Sequence, residues 1–142
     1  MGTTKAEVNA SGHIIVAADS AATLDTIVVN EVAGFVLGSM IVAEAAGTGK
    51  LYDSSVEADC GGIIGISNAV YANAATASYF TDGDEVTGLA GLTIGSEYYA
   101  DPTTGLPGLW SAIGSTEWTR LLGTATSATT LQLQLGAVQQ KA

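Results

Sequence analysis

The sequence predicts an all-β fold, a small β-sandwich or barrel of short antiparallel strands, with an extended arm at its N-terminus. Three observations carry this. Runs rich in β-branched residues, such as "TIVV" and "GGIIGI", recur between glycines and small polar residues. The segment "TLQLQLG" alternates apolar and polar residues from Leu131 to Leu135, the pattern of a half-buried strand. Nowhere do apolar residues recur at helical spacing for more than about two turns, so no amphipathic helix of ordinary length is expected.

Taken in order, residues 1–22 form the arm and residues 23–142 a single β domain. "HIIVAA" at 13–18 and "LDTIVVNEV" at 24–32 read as strands. "GFVLGSMIVAEAAGTGKLYD" at 34–53 reads as a strand, a turn at Gly47–Gly49 and a return strand. A buried strand opens "GGIIGISNAVYANAATASYF"; within it, "NAATAS" is open between helix, which alanine favours, and turn, which its Asn and Thr favour. Gly83, set between Asp82 and Asp84, supplies the positive φ of a turn. "LAGLTIGSEYYAD" then reads as one long strand. It would send Leu92, Ile94, Ser96 and Tyr98 to one face, and Thr93, Gly95, Glu97 and Tyr99 to the other. Pro102, with Gly105 and Gly108 beyond it, ends that strand in a turn and sends the chain back.

The 142 residues are 47% hydrophobic and only 13% charged, which leaves much of the surface neutral and suited to contact with other protein. The net charge of −10 comes from 14 acids against four bases. The bases are Lys5, Lys50, Arg120 and Lys141, too few and too scattered to displace counterions from a nucleic acid or to hold an anionic membrane surface. Cys60 is the single cysteine, so neither an internal disulfide nor a CxxC motif is possible, and it reads as a small buried apolar residue. "MGTTKAEVNASG" lacks the layout of a secretion signal, and "VAGFVLGSMIVA" is too short to span a bilayer. Synthesis in a cytoplasm followed by assembly is the expectation.

Candidate chemistry is sparse. "GTGK" at 47–50 matches part of a phosphate loop, but the full motif needs Gly at Glu44 and Ser or Thr at Leu51. "GISNA" around Ser67 departs from a nucleophile elbow at Ala69, and a serine hydrolase would depend on the lone histidine, His13. Asp82, Asp84, Glu85 and Asp101, or Asp53, Glu57 and Asp59, could converge on a hard cation such as calcium or act as a glycosidase pair. Their spacing matches no EF-hand, and acids in turns are ordinarily just solvated. Tyr71, Tyr79, Tyr98, Tyr99, Trp110 and Trp118 could form a sugar-stacking platform, although core packing and an inter-subunit seam are the commoner uses. No catalytic, cofactor-binding or metal residue is assigned, and no enzyme activity is expected.

From about Val32 to Leu135 the chain resembles a module of tailed-bacteriophage structural proteins: head-decoration (cement) proteins, head fibres and tail-fibre segments. The resemblance rests on "GLTIGSEYYADPTTG", a GLxxGxxYYxDPxTG hairpin, and on "GTATSATTLQL", a closing GxAxSATTLxL strand. It implies a non-enzymatic virion component made in the host cytoplasm, commonly a trimerising β-barrel or sandwich. The expected role is a decoration protein on the outer capsid surface, bound to the major capsid protein and to copies of itself as a homotrimer. The alternative is a fibre or adhesin domain that recognises host glycans through Trp110 and Trp118. "LPGLWSAIGSTEWTR", with its two tryptophans, departs from the plainer proline-rich loop of such modules.

Overall fold

The computed structural model describes residues 24–53 and 56–142 in full, and residues 4–8 and 14–18 as backbone. Those two N-terminal segments, β1 (Thr4–Val8) and β2 (Ile14–Ala18), pair antiparallel with Thr4 opposite Ala18. The remainder of the expected arm, His13 included, lies outside the described residues.

Five strands close into a barrel: β3 (Asp25–Val29), β4 (Met40–Ala43), β5 (Thr48–Leu51), β6 (Ile63–Ser67) and β7 (Thr76–Phe80), in the order β3-β5-β4-β6-β7. A one-turn helix, α1 (Glu57–Gly61), precedes β6. The rest of the chain forms a curled sheet of β8 (Glu85–Val86), β9 (Glu97–Asp101), β10 (Leu106–Gly108), β11 (Trp118–Ala125) and β12 (Leu131–Leu133), in the order β10-β9-β11-β12-β8. The last strand, β13 (Val138–Gln140), pairs with the first half of β11. The fold is therefore all-β, as the sequence predicts.

Two local expectations change. Not every strand pair is antiparallel, because β3 and β5 run parallel with Val28 opposite Thr48. A closed ring with an odd number of strands cannot alternate direction throughout, so at least one such pair is unavoidable. The strand expected over "LAGLTIGSEYYAD" begins only at Glu97. Gly91 and Gly95 adopt φ of 71° and 80°, which folds the preceding residues into a loop and leaves Ile94 exposed. In that loop the Leu92 amide donates to the Ala128 carbonyl and the Gly95 amide to the Ala125 carbonyl.

The other readings hold more closely. Gly83 has φ of 92° in its turn, and Gly105 has φ of 69° between β9 and β10. "NAATAS" is turn passing into β7, with Ala74 at φ of 68°. Gly47 lies in the turn before β5, whereas Gly49 is inside that strand. Leu131 and Leu133 are fully buried with Gln132 between them, as the alternation requires.

Two cores result. The barrel interior holds Ile27, Val29, Phe35, Ile41, Ala77 and Tyr79. A larger core lies between the barrel wall, from Met40, Val42, Ile63 and Ile66, and the sheet, from Val86, Tyr98, Ala100, Leu122, Leu131 and Leu133. Strand β4 serves both: Met40 and Val42 face the sheet while Ile41 fills the barrel. A strand buried on both faces must read as a continuous apolar run, and "MIVA" does.

On the sheet side, β11 slips register between Leu121 and Gly123 where it meets β9. A Cβ at Gly123 would lie 1.9 Å from the Gln132 carbonyl oxygen, so only glycine allows β12 to approach there. Gly123→Ala is expected to lower unfolding free energy by ~3 kcal/mol or more, since backbone has to move. Met40→Ala, a cavity at the seam of the two layers, is expected to cost ~2–5 kcal/mol. Urea unfolding of the two variants measures both.

Candidate functional site

Three separated segments meet at an apolar cleft of about 280 Å³, lined by Leu37, Gly38, Gly88, Leu89, Leu92 and Leu106 among others. Gly38, with φ of 91°, forms its floor: a Cβ there would sit 3.2 Å from Leu89 Cδ2 and 3.4 Å from Leu106 Cδ2. The Leu89 amide donates to the Thr129 carbonyl, and Leu89 and Leu92 pack against the larger core, so the wall is held from behind. No lining residue carries a charge.

Exposed apolar side chains also flank one backbone bridge of the barrel half. Phe35 and Tyr71 exchange both backbone hydrogen bonds in an isolated antiparallel bridge. Val36 and Val70, each next to a bridging residue in the chain, are exposed, as is Val32. Val36 directly precedes Leu37, a residue of the uncharged cleft.

A second feature lies on the outer side of β9. Tyr98 and Tyr99 diverge as the strand requires, Tyr98 into the core and Tyr99 outward. Tyr99 meets Trp110 edge to face, with ring centroids 5.0 Å apart. Lys141 Nζ stands 5.1 Å from the Trp110 ring centroid and donates to the carbonyls of Trp110 and Ile113 at 2.9 and 2.6 Å. The Tyr99 hydroxyl donates to Glu97 Oε2 at 2.9 Å, which raises its pKa, with partial burial adding to the effect. Trp110 remains 40% exposed. Trp118 belongs elsewhere: it packs against the larger core, and its carbonyl accepts the Tyr52 hydroxyl. The two tryptophans therefore do not form one platform.

The remaining candidates are occupied in building the fold. Ser67 is fully buried, and its hydroxyl donates to the Ala69 carbonyl at 2.9 Å. In "GTGK", Gly49 faces Ile41 and Ile27 inside the barrel, while Lys50 forms an ion pair with Asp59 at 2.8 Å. That hydrogen bond, first among its causes, raises the Lys50 pKa. Asp84 accepts the Thr81 amide, Asp82 the Leu135 amide, and Asp101 the Thr103 amide and Thr104 hydroxyl. Glu85 accepts the Thr126 hydroxyl, and Glu57 and Asp59 lie in the first turn of α1. Among the described residues no three His, Cys, Asp or Glu side chains gather as a metal site would require.

Comparison of the chain with protein-family models, with curated proteins and with solved structures returns no match.

The buried Tyr52–Cys60 pair gives a pH test of the core. Burial, and then the Cys60 thiol beside it, push the Tyr52 pKa well above its ordinary value of 10. Burial likewise pushes the Cys60 thiol up. For an acid whose folded pKa is raised, stability is complete below the unfolded pKa and falls as pH climbs past it. Unfolding free energy is thus expected to start falling from about pH 9, where the unfolded Cys60 thiol ionises, and to fall more steeply above about pH 10, with a shallower drop in Tyr52→Phe, as measured by denaturant titrations at stepped pH. Cys60 is expected to resist a thiol reagent in the folded protein and to react on unfolding.

Proposed function

We propose that this chain is a phage capsid-decoration protein, a homotrimer that binds the assembled shell and stabilises it. The observation that carries the reading is the distribution of charge. Fourteen acids leave the chain at −10, yet none of them lines the cleft. Copies of a strongly acidic protein meet with least repulsion across a neutral face, and the cleft with the exposed Val36 and Val70 is taken as that face. It is therefore assigned to self-contact, with Val36, Val70 and Leu89 entering a neighbouring copy.

The resemblance to decoration modules supports the same reading, as does the small share of charged residues, 13%. Shell binding is assigned to residues 1–22 as an arm reaching the major capsid protein on the outer capsid surface. The mechanism is mass action: a ligand that binds only the assembled lattice shifts the equilibrium toward that lattice. No chemical step is needed.

Light scattering is expected to show a trimer for the intact chain and a folded monomer for a Val36→Glu, Val70→Glu double variant. A monomeric intact chain would remove the self-contact. Deletion of residues 1–22 is expected to abolish co-sedimentation with assembled shells while the β domain keeps its circular dichroism spectrum. Undiminished co-sedimentation would remove the arm.

A further inference from the structure

We propose that Gln140 and Lys141 form a releasable latch that holds the turn from Leu109 to Glu117 in a strained conformation. Thr116, in this turn, has φ of 66°, a left-handed backbone on a residue other than glycine. A β-branched side chain is ill suited to that region, and the conformation persists only where its surroundings enforce it. The backbone of Thr116 is held from the latch. Its amide donates to the Lys141 carbonyl at 2.6 Å, and its carbonyl accepts Gln140 Nε2 at 2.8 Å. Lys141 also secures the rest of the turn. Its amide donates to the Glu117 carbonyl at 3.0 Å, and Nζ donates to the carbonyls of Trp110 and Ile113 at 2.9 and 2.6 Å. The same ammonium stands 5.1 Å from the Trp110 ring centroid.

The latch is placed where it can open. Gln140 is exposed and Lys141 only half-buried, so water competes for these bonds. Strand β13, which carries Gln140, pairs with β11 through three residues only. Within the turn, Ile113 alone is buried, at 2% exposure; it anchors the middle while both flanks stand in solvent. Once the latch opens, Thr116 can leave the left-handed region, and that relief favours the open state. Leu109 and Trp110, large apolar side chains exposed on the turn, are then no longer held by the Lys141 ammonium. The latch therefore decides whether this apolar pair is fixed or free to adapt to a contact. Loss of the Lys141 charge, or competition for residues 140–141, is enough to release it. The device is separate from the cleft and does not rest on the proposed assembly.

Hydrogen exchange tests this on the intact chain, on a truncation lacking residues 140–142, and on Lys141→Met, which keeps the stem but loses the donors. The amides of Ile113 and Glu117, bonded within the turn to the carbonyls of Trp110 and Gly114, report opening. Both are expected to exchange about tenfold faster in either variant. The Ser67 amide, bonded to the Ser39 carbonyl in the barrel half, is expected to keep its rate. Thr116→Gly removes the strain, so adding it to Lys141→Met is expected to slow exchange in the turn again. Unchanged rates in the folded variants overturn the latch. So does acceleration that reaches Ser67 equally, which would be a loss of general stability. Failure of Thr116→Gly to slow exchange overturns strain as the driving force. Should the truncation not fold, Lys141→Met with and without Thr116→Gly decides the question alone.

Discussion

Burial of β4 on both faces is the constraint from which the rest of the structure follows. Met40, Ile41 and Val42 are each at most 3% exposed, and three such side chains removed from water contribute on the order of 5–8 kcal/mol together. That contribution is available only if a barrel closes on one side and a sheet covers the other. The barrel uses Ile41 as its plug, with Leu51 opposite it on β5. The sheet uses Met40 and Val42 as its floor. Removing either layer would expose half of a strand that is wholly apolar.

The second layer also determines where surface features lie. For β9 to bury Tyr98 and Ala100 it must turn Tyr99 outward, and the β9–β10 pairing places Gly108 opposite Tyr99 just before the turn that carries Trp110. The Tyr99–Trp110 pair is the outer consequence of a core requirement. The cleft has a similar origin. The loop before β9 is pinned to the β11–β12 turn, which fixes Leu89 and Leu92, and Gly38 has no side chain to fill the space against Leu89 and Leu106.

Polar side chains mostly serve the backbone. Asp82, Asp84 and Asp101 accept amides that the turns would otherwise leave unpaired, and Thr119, fully buried, donates to the Ala100 carbonyl at 2.7 Å. Among the described residues no buried side-chain polar atom lacks a partner. The acids thus have a structural use that their clustering in sequence conceals, because two neighbouring carboxylates in a turn can each face a different amide.

By itself the sequence determined the strand character of most segments, the turns at Gly83 and Gly105, the inward Leu131 and Leu133, and the opposed faces of Tyr98 and Tyr99. These follow from steric preference and from the two-residue period of a strand, which are local. Only the tertiary structure decided that five strands would close with a parallel pair, that "LAGLTIG" would be loop, and that Trp118 would join the core while Trp110 stayed outside. Each of these depends on segments far apart in the chain competing for the same buried volume, and no window of neighbouring residues contains that competition. The cleft was illegible for the same reason, since its walls come from residues 37–38, 88–92 and 106–107, none unusual alone.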